Sequence, residues 1–348
     1  MHFLAVRFRL MLALCPIFFL LLLSCKQEAS PVITLEQYHQ PHEAGVRTGG
    51  VKMIPIKTTQ GEFKVWTKRI GNNPRIKVLF LHGGPSSTHE YWECAESFFP
   101  SEGIEFILYD QLGSFYSDQP TDSSLWTIDR FVEEVEQVRA ALALDSTNFF
   151  LVGQSWGGIL ALEYALRYQQ HLKGLVISNM MSDCRAYDLY ADEVLAPGMD
   201  PKVVDSVKWM EANGLYTDPR YMELLMPNFY KKHLCRLEEW PDPVNRSFAH
   251  LNPSIYVLMQ GPSEFGISGR LEHWDRSADL NKIRVPAMTI GATYDTMDPE
   301  HMRWMSTQML KGRFLLCPNG SHMAMWDDQE VYFEGLIRFI RDVDLGRM

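Results

Sequence analysis

Short apolar runs alternate with longer amphipathic stretches over most of this chain, and that alternation predicts its elements. The runs 51–57 and 63–70 are strand-like and are split by Gln60-Gly61, a hairpin signal. Lys77-Val78-Leu79-Phe80-Leu81 predicts a short buried strand that ends in His82-Gly83-Gly84-Pro85. Residues 105–110 predict another strand. Across 126–142, Phe131, Val135, Val138 and Leu142 share one helical face. A strand at 148–153, a helix-forming run at 159–166 and a strand at 174–179 follow. Beyond Asn179 the alternation stops. Residues 180–278 are rich in Tyr, Met, Trp, Glu and Pro and read as several short helices. The rhythm returns near Ile283, with a strand at 287–291, a helix at 299–310, a strand at 313–317 and a closing helix at 328–343. Such a chain builds an α/β fold: a mostly parallel sheet with helices on both faces, after an antiparallel start. Its core is expected at 51–179 and 279–348. The insertion at 180–278 is expected to form a helical cap over the strand ends and to shape a pocket there.

The first 50 residues follow a different pattern. Arg7 and Arg9 precede an apolar run at 10–23, interrupted only by Pro16. That run is too short to span a bilayer comfortably and suits the core of a signal peptide. It ends in Leu22-Leu23-Ser24-Cys25, which resembles a bacterial lipobox, where the cysteine is lipidated and becomes the mature N-terminus. Residues 1–25 are therefore expected to be a lipoprotein signal peptide, with Cys25 the lipidation site. Residues 26–50 are polar, carry Pro31 and Pro41, and read as a tether. Lys26 rather than Asp after the cysteine favours the outer membrane. The expected location is a bacterial cell envelope, with the chain lipid-anchored and facing the periplasm or the exterior.

Net charge is −10, which argues against a nucleic-acid partner, because phosphate binding needs a basic face. No Gly-rich phosphate loop is present, and no cofactor is expected. Cys94, Cys184, Cys235 and Cys317 are scattered without a C-x-x-C pair or zinc spacing, so no metal site is expected and buried free thiols are the default.

The chemistry centres on Gly153-Gln154-Ser155-Trp156-Gly157. A G-x-S-x-G pattern between a buried strand and a helix is a nucleophile elbow, which lifts the serine above the sheet edge. A serine hydroxyl needs a base, and the base a carboxylate to orient it. On such a sheet the order is Ser, acid, His. Asp295 follows the strand ending at Gly291, and His322 lies between the last strand and the last helix. Asp298 rivals Asp295 but also suits the N-cap of the helix that begins at Pro299. The Trp156 N–H is one oxyanion donor. Gly83-Gly84 supplies the other, from the Gly84 amide, where missing side chains let the backbone approach a substrate carbonyl. The Trp156 side chain is expected to pack, and His82 to order its own loop.

Together, His82-Gly83-Gly84-Pro85, Asp110-Gln111-Leu112-Gly113, the elbow, Tyr294-Asp295 and Gly320-Ser321-His322 resemble the proline iminopeptidases, α/β-hydrolases with a helical cap. The resemblance runs from about Val51 to the C-terminus. Met259-Gln260-Gly261-Pro262-Ser263-Glu264-Phe265, followed by Trp274-Asp275, looks closest to the branch containing the tricorn-interacting aminopeptidase. It implies release of an N-terminal residue, proline or another apolar one, from short peptides. It also implies cap glutamates that hold the free α-ammonium: Glu264, and Glu238 as its partner, with Glu223 and Glu239 as rivals. Two positions depart from the family. Ser86 stands where the family usually has glycine, and Phe115-Tyr116 precede Ser117 in place of Gly-Arg. An amino-acid amidase or esterase would keep the same triad. A lipid-anchored binding protein that has lost catalysis is the alternative from another class.

Overall fold

The computed structural model describes residues 33–40 and 46–348. Eight strands form one sheet: β1 (Val51–Thr58), β2 (Gly61–Ile70), β3 (Lys77–Leu81), β4 (Glu105–Asp110), β5 (Phe149–Gln154), β6 (Gly174–Ser178), β7 (Ala287–Ala292) and β8 (Gly312–Cys317). The spatial order is β1-β2-β4-β3-β5-β6-β7-β8. β1 and β2 form the expected hairpin, β2 lies antiparallel to β4, and every later pairing is parallel.

The central strands read as continuous apolar runs because both sheet faces are covered. In β5, Phe149 and Leu151 enter one core and Phe150 and Val152 the other; β3 divides the same way, with Leu79 and Leu81 against Val78 and Phe80. The helix Trp156–Tyr168 closes the first face and the helix Gln329–Asp344 the second. Parallel strands share one C-terminal edge, so the loops after β3, β5, β7 and β8 gather there.

A helical insertion lies between β6 and β7. Its helices include Cys184–Tyr190, Pro201–Ala212, Pro219–Leu225, Asp242–Ala249 and Pro253–Met259. A separate apolar cluster from Leu195 to Phe265 holds it together. Its ends belong to the main core instead: Met180, Met181, Cys184, Leu271 and Trp274 pack there. Trp274 Nε1 and Arg276 Nε each donate to Glu163 Oε1 at 2.6 Å, which fixes the returning chain to the helix behind the elbow.

The stretch 26–50 is not wholly a tether. Thr34 and Gln37 form a capping box that starts a short helix, Leu35–His39. Tyr38 from that helix is buried and donates to the Ile104 carbonyl at 2.8 Å. The run at 10–23 and Leu22-Leu23-Ser24-Cys25, expected as a signal-peptide core and a lipobox, lie outside the described residues. Cys94, Cys184, Cys235 and Cys317 are each buried and free.

Candidate active site

β5 runs into the elbow, and the turn there is tight enough to constrain each residue. Ser155 has φ 55° and ψ −127°, outside the ordinary regions for a side-chain-bearing residue. Such strain typically costs about 1–3 kcal/mol and persists only where packing enforces it. The packing is visible at the glycines. A Cβ on Gly153 would lie 1.9 Å from the Gly157 carbonyl oxygen, and one on Gly157 would lie 2.2 Å from the Leu81 oxygen. Gly157→Ala is therefore expected to cost more than the roughly 1–3 kcal/mol of an overpacked core, because backbone must move. A thermal melt checks this; an unchanged midpoint would contradict the elbow geometry.

The two amides expected as oxyanion donors are placed by the same loops. Trp156 opens the helix Trp156–Tyr168, so its N–H has no acceptor within the helix. The Gly84 N–H donates to no group among the described residues. His82 aims it. His82 Nε2 accepts from the Gln111 N–H at 3.1 Å, which leaves the proton on Nδ1, and Nδ1 donates to the Gly83 carbonyl at 2.8 Å. Burial disfavours the imidazolium and lowers the His82 pKa, in keeping with a neutral ring. A planar trans-like amide carries its C=O and N–H in opposite directions, so pinning the Gly83 carbonyl fixes where the Gly84 N–H points. His82 thus orders its loop, as expected.

Asp295 and His322 come together from the loops after β7 and β8. His322 Nδ1 lies 2.8 Å from Asp295 Oδ1 and 3.1 Å from Thr296 Oγ1. Asp295 Oδ1 also accepts from the Met297 N–H at 3.1 Å, and Oδ2 accepts from Asn179 Nδ2 at 2.6 Å. Burial opposes the charged imidazole, but the charge and hydrogen bond of Asp295, with the charge of Glu264, outweigh it and raise the His322 pKa. Asp298 instead caps the helix Pro299–Gln308 by accepting from the Glu300 N–H at 2.9 Å. No hydrogen bond joins Ser155 Oγ to His322 among the described residues; the two side chains share the wall of one cavity, and such bonds often close only around substrate.

That cavity has a volume of about 810 Å³ and lies between the elbow and the cap. Gly83, Gly84, Ser155 and His322 form its floor, and Tyr230, Phe248, Tyr256, Val257 and Leu258 contribute apolar wall. Glu264 is its one lining carboxylate among the described residues. Tyr256 donates to Glu264 Oε1 at 2.6 Å, while Oε2 accepts from no described group. Burial raises the Glu264 pKa, opposed by the positive charge of His322 and the Tyr256 hydrogen bond. Among the described residues, no cluster of His, Cys, Asp or Glu is placed to hold a metal ion.

A family model for the alpha/beta hydrolase fold matches residues 77–201. A proline iminopeptidase of Flavobacterium johnsoniae is 63% identical, over 84% of this chain and 98% of that protein. The chain belongs to the proline iminopeptidase family. A second member, from Elizabethkingia meningoseptica, is 60% identical over the same shares, 84% and 98%. The crystal structure of proline iminopeptidase from Mycobacterium smegmatis superposes with a TM-score of 0.76 at 26% identity, covering 86% of this chain and all of that one.

Within this family site, not every residue singled out by sequence meets the cavity. Glu238 is exposed and is not among the residues that line the cavity, and the same holds of Glu223 and Glu239; the Glu238 carbonyl accepts from Lys231 Nζ at 3.0 Å. The irregular cap gives no periodicity from which to tell an inward glutamate from a solvated one. Gly83 does line the cavity, but its N–H donates to Tyr91 Oη at 2.6 Å. Its contribution is space: a Cβ there would lie 3.0 Å from Ser155 Cβ. Cys25 lies outside the described residues. Ser86 adopts φ 66° and ties the glycine loop to the cap through Oγ to the Asn252 carbonyl at 2.9 Å. Phe115 stacks on His250 of the cap at 3.8 Å, and Tyr116 donates to Glu90 at 3.0 Å. Sequence reasoning missed Asn179, Thr296 and Tyr256, which hydrogen-bond Asp295, His322 and Glu264 in turn. Only Asn179 carries a local signal, an asparagine able to take φ 52° directly after a strand.

Proposed function

We propose that this protein is a serine exopeptidase that releases an N-terminal residue, proline or another apolar residue, from short peptides. The observation that carries the assignment is Glu264, a buried carboxylate with one free oxygen in the same cavity as Ser155 and His322. The α-ammonium of a substrate pairs with Glu264 Oε2, and this holds the first carbonyl over Ser155. His322 takes the serine proton as the hydroxyl attacks. Asp295, held by Asn179 and the Met297 N–H, orients the imidazole and stabilises its cation. The Trp156 and Gly84 amides bind the oxyanion, and a donor of this kind is typically worth roughly 3 kcal/mol. His322 then protonates the leaving amine, and water resolves the acyl-enzyme by the same steps in reverse.

Internal peptides are rejected because they leave Glu264 buried without its counter-charge. Truncating such a pair typically costs about 2–5 kcal/mol. Glu264→Gln is accordingly expected to lower kcat/KM on a prolyl arylamide by roughly 30-fold or more, while an ester lacking an amine is hydrolysed as by the wild type. Equal losses on both substrates would remove the ammonium anchor.

The finer placement also belongs to this proposal. Gly261-Pro262-Ser263-Glu264-Phe265 supports the branch containing the tricorn-interacting aminopeptidase, and the Leu22-Leu23-Ser24-Cys25 sequence supports a lipid anchor on Cys25 in the bacterial outer membrane. Globomycin-sensitive processing and palmitate labelling of the wild type, both lost in Cys25→Ala, would be the result expected of a lipoprotein.

A further inference from the structure

We infer that Tyr91 and Gln154 are positioning residues that lock the oxyanion loop and the base loop into one register. The inference rests on the exopeptidase mechanism above. Tyr91 comes from the helical segment His89–Ser97 and Gln154 from the end of β5; both are buried, at 1% and 2% exposure. Their polar atoms form a single chain. The Gly83 N–H donates to Tyr91 Oη at 2.6 Å, Tyr91 Oη donates to Gln154 Oε1 at 2.9 Å, and Gln154 Nε2 donates to the His322 carbonyl at 3.1 Å.

The proton directions along this chain are determined. The His322 carbonyl is only an acceptor, so the amide nitrogen of Gln154 must face it and Oε1 must face Tyr91. The Tyr91 proton then goes to Oε1, which leaves a lone pair for the Gly83 N–H. No other orientation satisfies all the groups. One end of the chain holds the residue before the Gly84 oxyanion donor. The other end holds the backbone of the catalytic base. The middle passes next to the nucleophile, since Gln154 directly precedes Ser155. Both residues border the cavity, and the Tyr91 proton, Gln154 Oε1 and one N–H of Gln154 Nε2 are engaged by the protein. Tyr91 is anchored in turn by Trp326 Nε1, which donates to its carbonyl at 2.8 Å.

A positioning role separates from a merely structural one by kinetics. Tyr91→Phe removes one oxygen and Gln154→Met removes both polar ends at similar volume. Each is expected to lower kcat on a prolyl arylamide by about tenfold to 100-fold, the scale of a misplaced catalytic group, per site titrated with a phosphonate. KM should stay within about twofold, because Glu264 still holds the ammonium. Affinity for a boronic acid mimic of the tetrahedral intermediate should fall in parallel with kcat. The double variant should be no slower than the slower single variant, since one chain is broken once or twice to the same effect. Wild-type kcat in either folded variant, a loss confined to KM, or additive losses in the double variant would each overturn the inference. If the wild type proves active only on acetyl-capped esters, the exopeptidase mechanism fails, and the same variants measured on that ester still decide the register.

Discussion

Ser155→Ala is expected to lower kcat on a prolyl arylamide by on the order of 10⁶-fold, the scale of losing a triad nucleophile. Ser155 lines the cavity and is 6% exposed, with the proposed oxyanion amides at Trp156, next in the chain, and at Gly84, which lines the same cavity. Removing one oxygen leaves Glu264, the apolar walls and the oxyanion donors in place, so substrate should still bind and KM should change little. The elbow itself should survive. Its strain is imposed by Gly153 and Gly157 against neighbouring backbone, not by the serine hydroxyl, which makes no hydrogen bond among the described residues. A folded variant that retained near-wild-type turnover would remove Ser155 from the mechanism.

Asp295→Asn should cost about 10⁴-fold in kcat with the fold intact, as when an orienting carboxylate is replaced by its amide elsewhere. The amide can present its NH2 to His322 Nδ1 and so favour the wrong tautomer. It also competes with Asn179, which now donates at 2.6 Å to a carboxylate oxygen. The pH profile gives a second, independent readout. The base must be neutral to accept the serine proton, so kcat/KM falls as pH drops through the His322 pKa. Asp295 and Glu264 raise that pKa against burial, so the acid limb should lie above the ordinary histidine value of about 6.5. Replacing Asp295 removes the largest raising contribution, and the limb should move to lower pH. An unchanged limb would mean that another group titrates there.

Ser155, Asp295 and His322 were legible as candidates because three constraints coincide on them: a glycine-flanked serine between strand and helix, the fixed order of acid and base, and loops that follow late strands. Asp298 was separable from Asp295 on the same grounds, since a helix begining with Pro299 needs a cap. The core strands were legible because β3 to β7 are buried on both faces and their apolar runs are bounded by polar loops. The cap was legible only as an interruption. Its helices are short and divide between a cluster of their own and the two core clusters, so the insertion carries no one long apolar stripe. Glu264 could be found through its motif, while Glu238, chosen as its partner, is exposed and does not line the cavity. Tyr91, Asn179 and Thr296 act across long stretches of chain, and no local pattern marks the contact. The helix Leu35–His39 did have a local signal, Thr34 followed by Gln37, obscured by the polar composition around it.

The central claim is that a free amino terminus on the substrate is what the buried Glu264 recognises. The most direct measurement compares hydrolysis of prolyl-naphthylamide with that of its N-acetylated form by the wild-type protein. Rapid release of naphthylamine from the free amine is expected, with a loss of roughly 30-fold or more on acetylation. Equal rates on the two substrates would contradict it.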